Sequence, residues 1–362
     1  MMELRTLQTL VEELAKALGE ATGEQPHILQ EPQQAQGISH QDAMIEFTHE
    51  GKLYKLVIEV KRSLYPRDAR EAIWQIKTHL ADLGRENGPF IPVLLADSIS
   101  PGARELLREE RVGHFDASGS LFIAAQGLYI RIDQPTSRKQ QRSITNVFSG
   151  RRAQALHAIW TFGSEWFGVH QIADRAGVSP ATASETLISI ERREWVEVRG
   201  SGPSKERRLV NPRALLDAWA NHQATMKPSA IQHFYVRSTT LPDLQKLIDE
   251  TCDGEGVPYE FSGITAGQIH APFLSTVSQV FCRLPAVHGA KVVLNAIDAR
   301  PVREGWNLAV QEATFDGEFK FRQRQNDLWV ADPLQTYLDL LQSGGRAKEL
   351  AQHLRAEKLE TP

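Results

Sequence analysis

The run Leu56-Val57-Ile58-Glu59-Val60-Lys61 limits the fold more than any other stretch of this chain. It is short and β-branched, and alternation along a strand sends Glu59 and Lys61 to one face and Val60 to the other. Asp42 opens a second short run, Asp-Ala-Met-Ile-Glu-Phe, and His49-Glu50-Gly51-Lys52 can turn it back antiparallel onto the first. Such a hairpin gathers Asp42, Glu59 and Lys61 into one cluster. A helix predicted over 68–83 carries Gln75, and Ile91-Pro92-Val93-Leu94-Leu95-Ala96 reads as a further buried strand. Ahead of the hairpin, Leu4, Leu7, Leu10, Val11, Leu14 and Leu18 recur at the helical period, predicting an amphipathic helix at about residues 3–18.

The residue types in that cluster suit metal-assisted phosphodiester chemistry. Magnesium takes hard oxygen ligands, keeps several waters and is held by one or two carboxylates plus substrate phosphate, which Asp42 and Glu59 could offer. The backbone carbonyl of Val60 could complete the shell, while the Lys61 ammonium orients a water or balances developing charge. A surface hairpin with a salt-bridged Glu and Lys uses the same letters. The preceding Asp, the apolar strand and the following helix together favour the metal site. At this point residues 1–135 resemble the PD-(D/E)xK nuclease superfamily, which includes restriction endonucleases and Holliday-junction resolvases. The resemblance implies a restriction endonuclease-like α/β domain with Mg²⁺ or Mn²⁺ as cofactor, Asp42 and Glu59 at metal positions, and Lys61 and Gln75 at catalytic ones. The proline of the family's name is missing, since Ser39-His40-Gln41 precedes Asp42.

At 362 residues, 41% hydrophobic and 24% charged, the chain has the length and composition of two or three soluble globular domains. Its formal net charge of −4 means that any DNA affinity is local rather than global. Cys252 and Cys282 lack metal-ligand spacing and read as buried thiols in a reducing, cytoplasmic setting. No apolar run is long enough to span a membrane. From Gln134 to Ser164 there is no acidic residue, while Arg138, Lys139, Arg142, Arg151 and Arg152 supply positive charge, so 136–151 reads as a basic linker.

Beyond the linker, Ala155, Leu156, Ile159 and Trp160 have helical spacing. Val169 to Ala176 forms a short amphipathic helix closed by Gly177, and Ser179-Pro180 is an N-cap followed by proline at the first helical position. A helix running to about Trp195, burying Ala183, Leu187 and Ile190, is followed by strand-like Val196–Arg199 and the glycine-rich basic stretch Gly200 to Arg208. Residues 152–220 therefore look like a winged helix-turn-helix. That resemblance implies DNA contacts from Ser179, Thr182 and Ser184 at the start of the recognition helix and from Arg199, Lys205, Arg207 and Arg208 in the wing. Glu185 departs from the pattern, because a carboxylate there repels phosphate unless it accepts from a cytosine amine.

Residues 230–362 are expected to form an α+β domain, with a helix over 241–251, strands over 290–295 and 307–310, a half-buried strand through Phe319, Phe321 and Trp329, and terminal helices over 334–341 and 347–359. His233, His270 and His288 have no ligand spacing. Phe261-Ser262-Gly263-Ile264-Thr265-Ala266, Val330-Ala331-Asp332-Pro333-Leu334-Gln335, Tyr337-Leu338-Asp339-Leu340-Leu341 and Gly345-Arg346-Ala347 are similar to the C-terminal part of AbiEi-type antitoxin regulators of type IV toxin–antitoxin systems. The fold class expected for the chain is α/β multidomain, and two functions follow. One is a Mg²⁺-dependent endonuclease acting on duplex or branched DNA. The other is a non-catalytic transcriptional regulator or antitoxin whose partner is a nucleotidyltransferase-like toxin. Both bind DNA, and both are expected to be homodimers, because two strands or half-sites must be addressed.

Overall fold

Alternation decides the first sheet. The computed structural model describes residues 4–29, 43–82, 90–134, 146–238, 240–286, 288–313 and 315–360. The chain is mixed α/β and divides into two units, residues 1–147 with 185–207 and residues 148–184 with 208–362. In the first unit the elements run α1 (Leu4–Thr22), β1 (His27–Leu29), β2 (Ala43–His49), β3 (Lys52–Leu64), α2 (Pro66–Asp82), β4 (Phe90–Ile99), α3 (Pro101–Glu109), β5 (Gly113–Asp116), β6 (Leu121–Ala125) and β7 (Leu128–Ile132). The seven strands lie side by side in chain order. β3, β4 and β5 run parallel, and the other neighbours are antiparallel. Parallel neighbours need a crossover, and α2 and α3 supply the two required.

Both faces of this sheet are covered, which is why β3 reads as nearly continuous apolar sequence. Leu10, Val11, Leu14 and Leu18 of α1 pack with Ile45, Phe47, Leu56, Ile58, Val93 and Leu95. On the other face Ala69, Ala72, Ile73 and Ile76 of α2 and Ala103 and Leu107 of α3 pack with Val57, Leu94 and Ala96. The β2–β3 hairpin closes through Glu50 and Gly51, at φ 48° and 75°, with His49 opposite Lys52. Two consecutive left-handed residues make the two-residue turn whose twist matches the flanking strands, and glycine is needed at one of them. α2 starts at Pro66, two residues ahead of the prediction, because proline suits the first helical position and Asp68 Oδ2 accepts the Tyr65 N–H at 3.2 Å.

The next elements are α4 (Gly150–Phe162), α5 (Val169–Ala176), α6 (Pro180–Arg192), β8 (Val196–Arg199) and β9 (Glu206–Leu209), the last two forming a two-stranded sheet. α5 ends at Gly177 in the left-handed conformation, φ 65°. Ser179 caps α6, its Oγ accepting the Thr182 N–H at 3.1 Å, and Ala183, Leu187 and Ile190 are all buried as the pattern requires.

After α7 (Pro212–Thr225), the second unit continues with β10 (Ile231–Tyr235), α8 (Leu241–Gly254), β11 (Glu260–Phe261), α9 (Gly263–His270), β12 (Val280–Pro285), α10 (His288–Ala296), β13 (Arg300–Pro301), β14 (Leu308–Ala313), β15 (Gln323–Gln325), β16 (Leu328–Val330), α11 (Pro333–Gln342) and α12 (Ala347–Leu354). Its sheet has the order β13-β10-β14-β12-β11-β16-β15. Two expectations are corrected. Residues 290–295 are helical, because Ala290, Val293 and Ile297 recur at the helical period and are the buried positions. Phe319, Phe321 and Trp329 do not share a strand: Phe319 ends a 3₁₀ turn and Trp329 lies in β16, paired to β15 around Asn326 and Asp327, both at positive φ. Cys252 and Cys282 are buried and free, and burial pushes the Cys252 thiol up to about 12. Arg283 on β12 is also buried, pairing with Glu260 and reaching Asp339 of α11 at 2.8 Å.

Candidate functional site

The two-core arrangement aims β3's polar residues. Leu56, Ile58 and Val60 face the α1 layer and Val57 faces the α2 layer, so Glu59 and Lys61 emerge on the α2 side. There Lys61 Nζ pairs with Glu59 Oε1 and donates to Gln75 Oε1 of α2 at 3.4 Å. Gln75 Nε2 in turn donates to Glu71 Oε1, one turn earlier, at 3.5 Å. The predicted trio Glu59, Lys61 and Gln75 is thus brought together, and Glu71 joins it without having been singled out from sequence. A glutamate four residues before a glutamine on one helix face was the available signal.

Glu59 is only 4% exposed, and its second oxygen, Oε2, is buried without a hydrogen-bond partner. Leaving a carboxylate oxygen in that state is costly, by about 1–3 kcal/mol or more for a charged group. A bound cation is one remedy, so the residue present fits a metal ligand. The Lys61 side chain is 36% exposed, and the cluster meets solvent on that side. Asp42 lies outside the described residues. The residue after it, Ala43, stands opposite Ile58, the neighbour of Glu59, in the β2–β3 register. Among the described residues no group of three His, Cys, Asp or Glu side chains is arranged to hold a metal.

The expected DNA reader divides into usable and committed residues. Ser179 is exposed at the start of α6, Thr182 and Ser184 are half-buried beside it, and the Ser179 and Thr182 hydroxyls lie 3.0 Å apart. The wing cations are less available than their sequence suggests. Arg199 Nε donates to Glu206 at 2.7 Å, and Lys205 Nζ and Arg207 Nε each reach Glu191 at 2.7 Å. Arg208 stacks over the Trp166 ring at 5.0 Å. Burial would push the Glu191 carboxyl up, but hydrogen bonds from Lys205 and Arg207 outweigh it and hold the group below its ordinary value. Arg207, 4% exposed, is thus engaged at the base of the wing by Glu191.

Glu191 belongs to a wider set of ion pairs that sequence did not reveal. Arg192 donates to Asp68 at 2.7 Å and to Ser63 at 3.3 Å, and its guanidinium lies 4.7 Å from the Tyr65 ring centre. Arg70 Nε pairs with Glu194 at 2.9 Å. The end of α6 is thus tied to the junction where β3 becomes α2, immediately after Lys61. Pairs 124 positions apart leave no periodic trace in a sequence.

No family model, curated protein or solved structure matches the chain. No helix among the described residues is long and apolar enough to cross a membrane.

Proposed function

We propose that the chain is a divalent-metal-dependent DNA endonuclease with a restriction endonuclease-like domain and a winged-helix reader. The observation that carries this reading is the buried Glu59, whose free oxygen lies beside an ammonium already engaged by Gln75 from the next helix. Asp42 and Glu59 would hold Mg²⁺ or Mn²⁺, which when bound lowers the pKa of a water and withdraws charge from the phosphate. Lys61 is held between Glu59 and Gln75, so its remaining N–H is oriented before substrate arrives, and orientation set in advance is what stabilises developing charge. Gln75 fixes the ammonium rather than meeting the phosphate. Ser179, Thr182 and Ser184 at the start of α6 are the groove-facing side chains of the reader, with Arg199 on the wing.

The test is nicking of supercoiled, linear and branched DNA with Mg²⁺ or Mn²⁺. Lys61→Ala is expected to abolish cutting while leaving DNA affinity largely intact, because the site acts on the transition state more than on binding. No product on any of the three substrates with either ion would overturn the cleavage reading. The exposed N-terminus of α6 equally suits a non-catalytic transcriptional regulator with a nucleotidyltransferase-like toxin as partner, and a footprint on an inverted repeat without cleavage is the result that favours it.

A further inference from the structure

α2 carries an unusual outward face. Trp74 is 69% exposed, and among the described residues its indole has neither a hydrogen-bond nor a ring partner. Tryptophan is highly buried on average; a single exposed apolar side chain is ordinary by itself, so what matters here is what flanks it. Arg70 lies one turn before it and Lys77 one turn after, on the same helical face. Together the three span about 10 Å of helix. Arg70 uses only Nε on Glu194, leaving its two terminal nitrogens for another acceptor, and Lys77 spends one bond on Glu110 at 2.6 Å. Between α2 and α3 these side chains line an open groove of about 580 Å³ whose floor is Ile73 and Leu106. Gln75, the residue after Trp74, belongs to the Glu59–Lys61 cluster.

Two features choose the occupant. Trp74 is the only large apolar side chain exposed on α2 or α3 among the described residues, so the apolar patch is one side chain wide. A stable protein partner needs about 800 Å² on each side. An aromatic face between two cations has instead the composition that stacks a base and grips its flanking phosphates.

We propose that Trp74 is the stacking platform for one unpaired base of a DNA strand, with Arg70 and Lys77 contacting the phosphates on either side. The substrate of the neighbouring site is then DNA with an unpaired nucleotide, such as a single strand, flap or junction, rather than uniform duplex. This rests on the DNA-binding reading above but not on cleavage.

The experiment is a titration of the full-length chain in EDTA against a fluorescent oligo(dT) and against a blunt duplex of equal length. Trp74→Ala is expected to weaken oligo(dT) binding about 5- to 150-fold, the range for loss of one stacked base. Duplex affinity should stay within about twofold, and Trp74→Phe, which keeps a ring, should recover most of the loss. Equal oligo(dT) affinity in wild type and Trp74→Ala overturns the inference, as does a dimer that dissociates in Trp74→Ala while oligo(dT) binding is unchanged. Because the titration holds no metal it is independent of the nicking assay: no product there with Mg²⁺ or Mn²⁺, together with loss of oligo(dT) binding here in Trp74→Ala, sinks the cleavage reading and supports this one. A chain that cuts normally with Trp74→Ala and binds oligo(dT) unchanged does the reverse.

Discussion

Replacing Glu59 by methionine should stabilise the apo protein and remove its response to metal. The side chains are similar in length, so the change leaves packing on the α2 face nearly intact and removes the buried Oε2 that has no partner. Relieving that oxygen is worth about 1–3 kcal/mol. Against it stands the loss of the Lys61 pair, and because Lys61 is 36% exposed that pair is worth only about 0.2–1 kcal/mol. The difference is a net gain of about 0–3 kcal/mol, which for a unit of this size moves the melting temperature up by as much as about 12 °C.

The assay is a thermal melt of wild type and Glu59→Met in EDTA and in graded Mn²⁺. Wild type should gain about 1.4 kcal/mol at ten times its dissociation constant for the ion, and the variant should gain nothing. A drop in the EDTA melting temperature of Glu59→Met would mean that Glu59 is a structural salt-bridge partner whose burial is compensated. Equal Mn²⁺ shifts in both proteins would mean that the ion binds elsewhere. Either result refutes the assignment of Glu59 as a ligand kept at a cost to stability.

Two further outcomes follow from buried charge. Burial, reinforced by Arg104 and Arg108, pushes His114 down from 6.5 to about 3, so the unfolded chain binds a proton below 6.5 that the folded chain refuses until about 3. Stability should therefore be complete above that window and fall as pH drops, by about 2 kcal/mol between pH 7 and pH 5 from this group, and urea midpoints of His114→Phe should lose that part of the slope. Arg283→Met leaves Glu260 and Asp339 buried without their guanidinium and should cost about 3–5 kcal/mol at pH 7.5, with part of the loss recovered at pH 5 as the acids protonate. A loss under about 1 kcal/mol in denaturant titrations would show that water reaches the carboxylates once the arginine is gone.

Local rules carried much of the fold. The β2–β3 turn was legible because Glu50-Gly51 supplies the left-handed pair that a two-residue hairpin demands, α1 and α2 because their apolar residues recur at the helical period, and β4 because its apolar run continues past Pro92. The 290–295 run misled because Val292 and Val293 favour strands, whereas the decisive fact is which side chains meet the sheet, and that is set by tertiary packing. At the site, alternation placed Glu59 and Lys61 together, since strand geometry is local. Glu71's role and Arg207's burial were not legible. Each depends on a partner chosen by how helix and strand are juxtaposed, and a basic residue in a glycine-rich stretch looks the same whether it faces phosphate or Glu191.

Lys61 separates the two functional readings. A nuclease-like domain retained only to clamp DNA would profit from a free ammonium facing phosphate, and a buried carboxylate beneath it would be a liability in a way that the solvent-screened Glu194 and Glu110 beside Arg70 and Lys77 are not. At about 4 Å and an effective dielectric of about 20, a carboxylate opposes a phosphate by about 4 kcal/mol. Here Glu59 lies beneath Lys61, takes up part of its charge and leaves a bare oxygen behind. That arrangement weakens a clamp, yet it is what a cation site needs, because a divalent ion between the carboxylate and the phosphate turns repulsion into two attractions. The hydrogen bond from Lys61 to Gln75 points the same way, since a clamp gains nothing from fixing the direction of an ammonium, whereas a site that must aim a water depends on it.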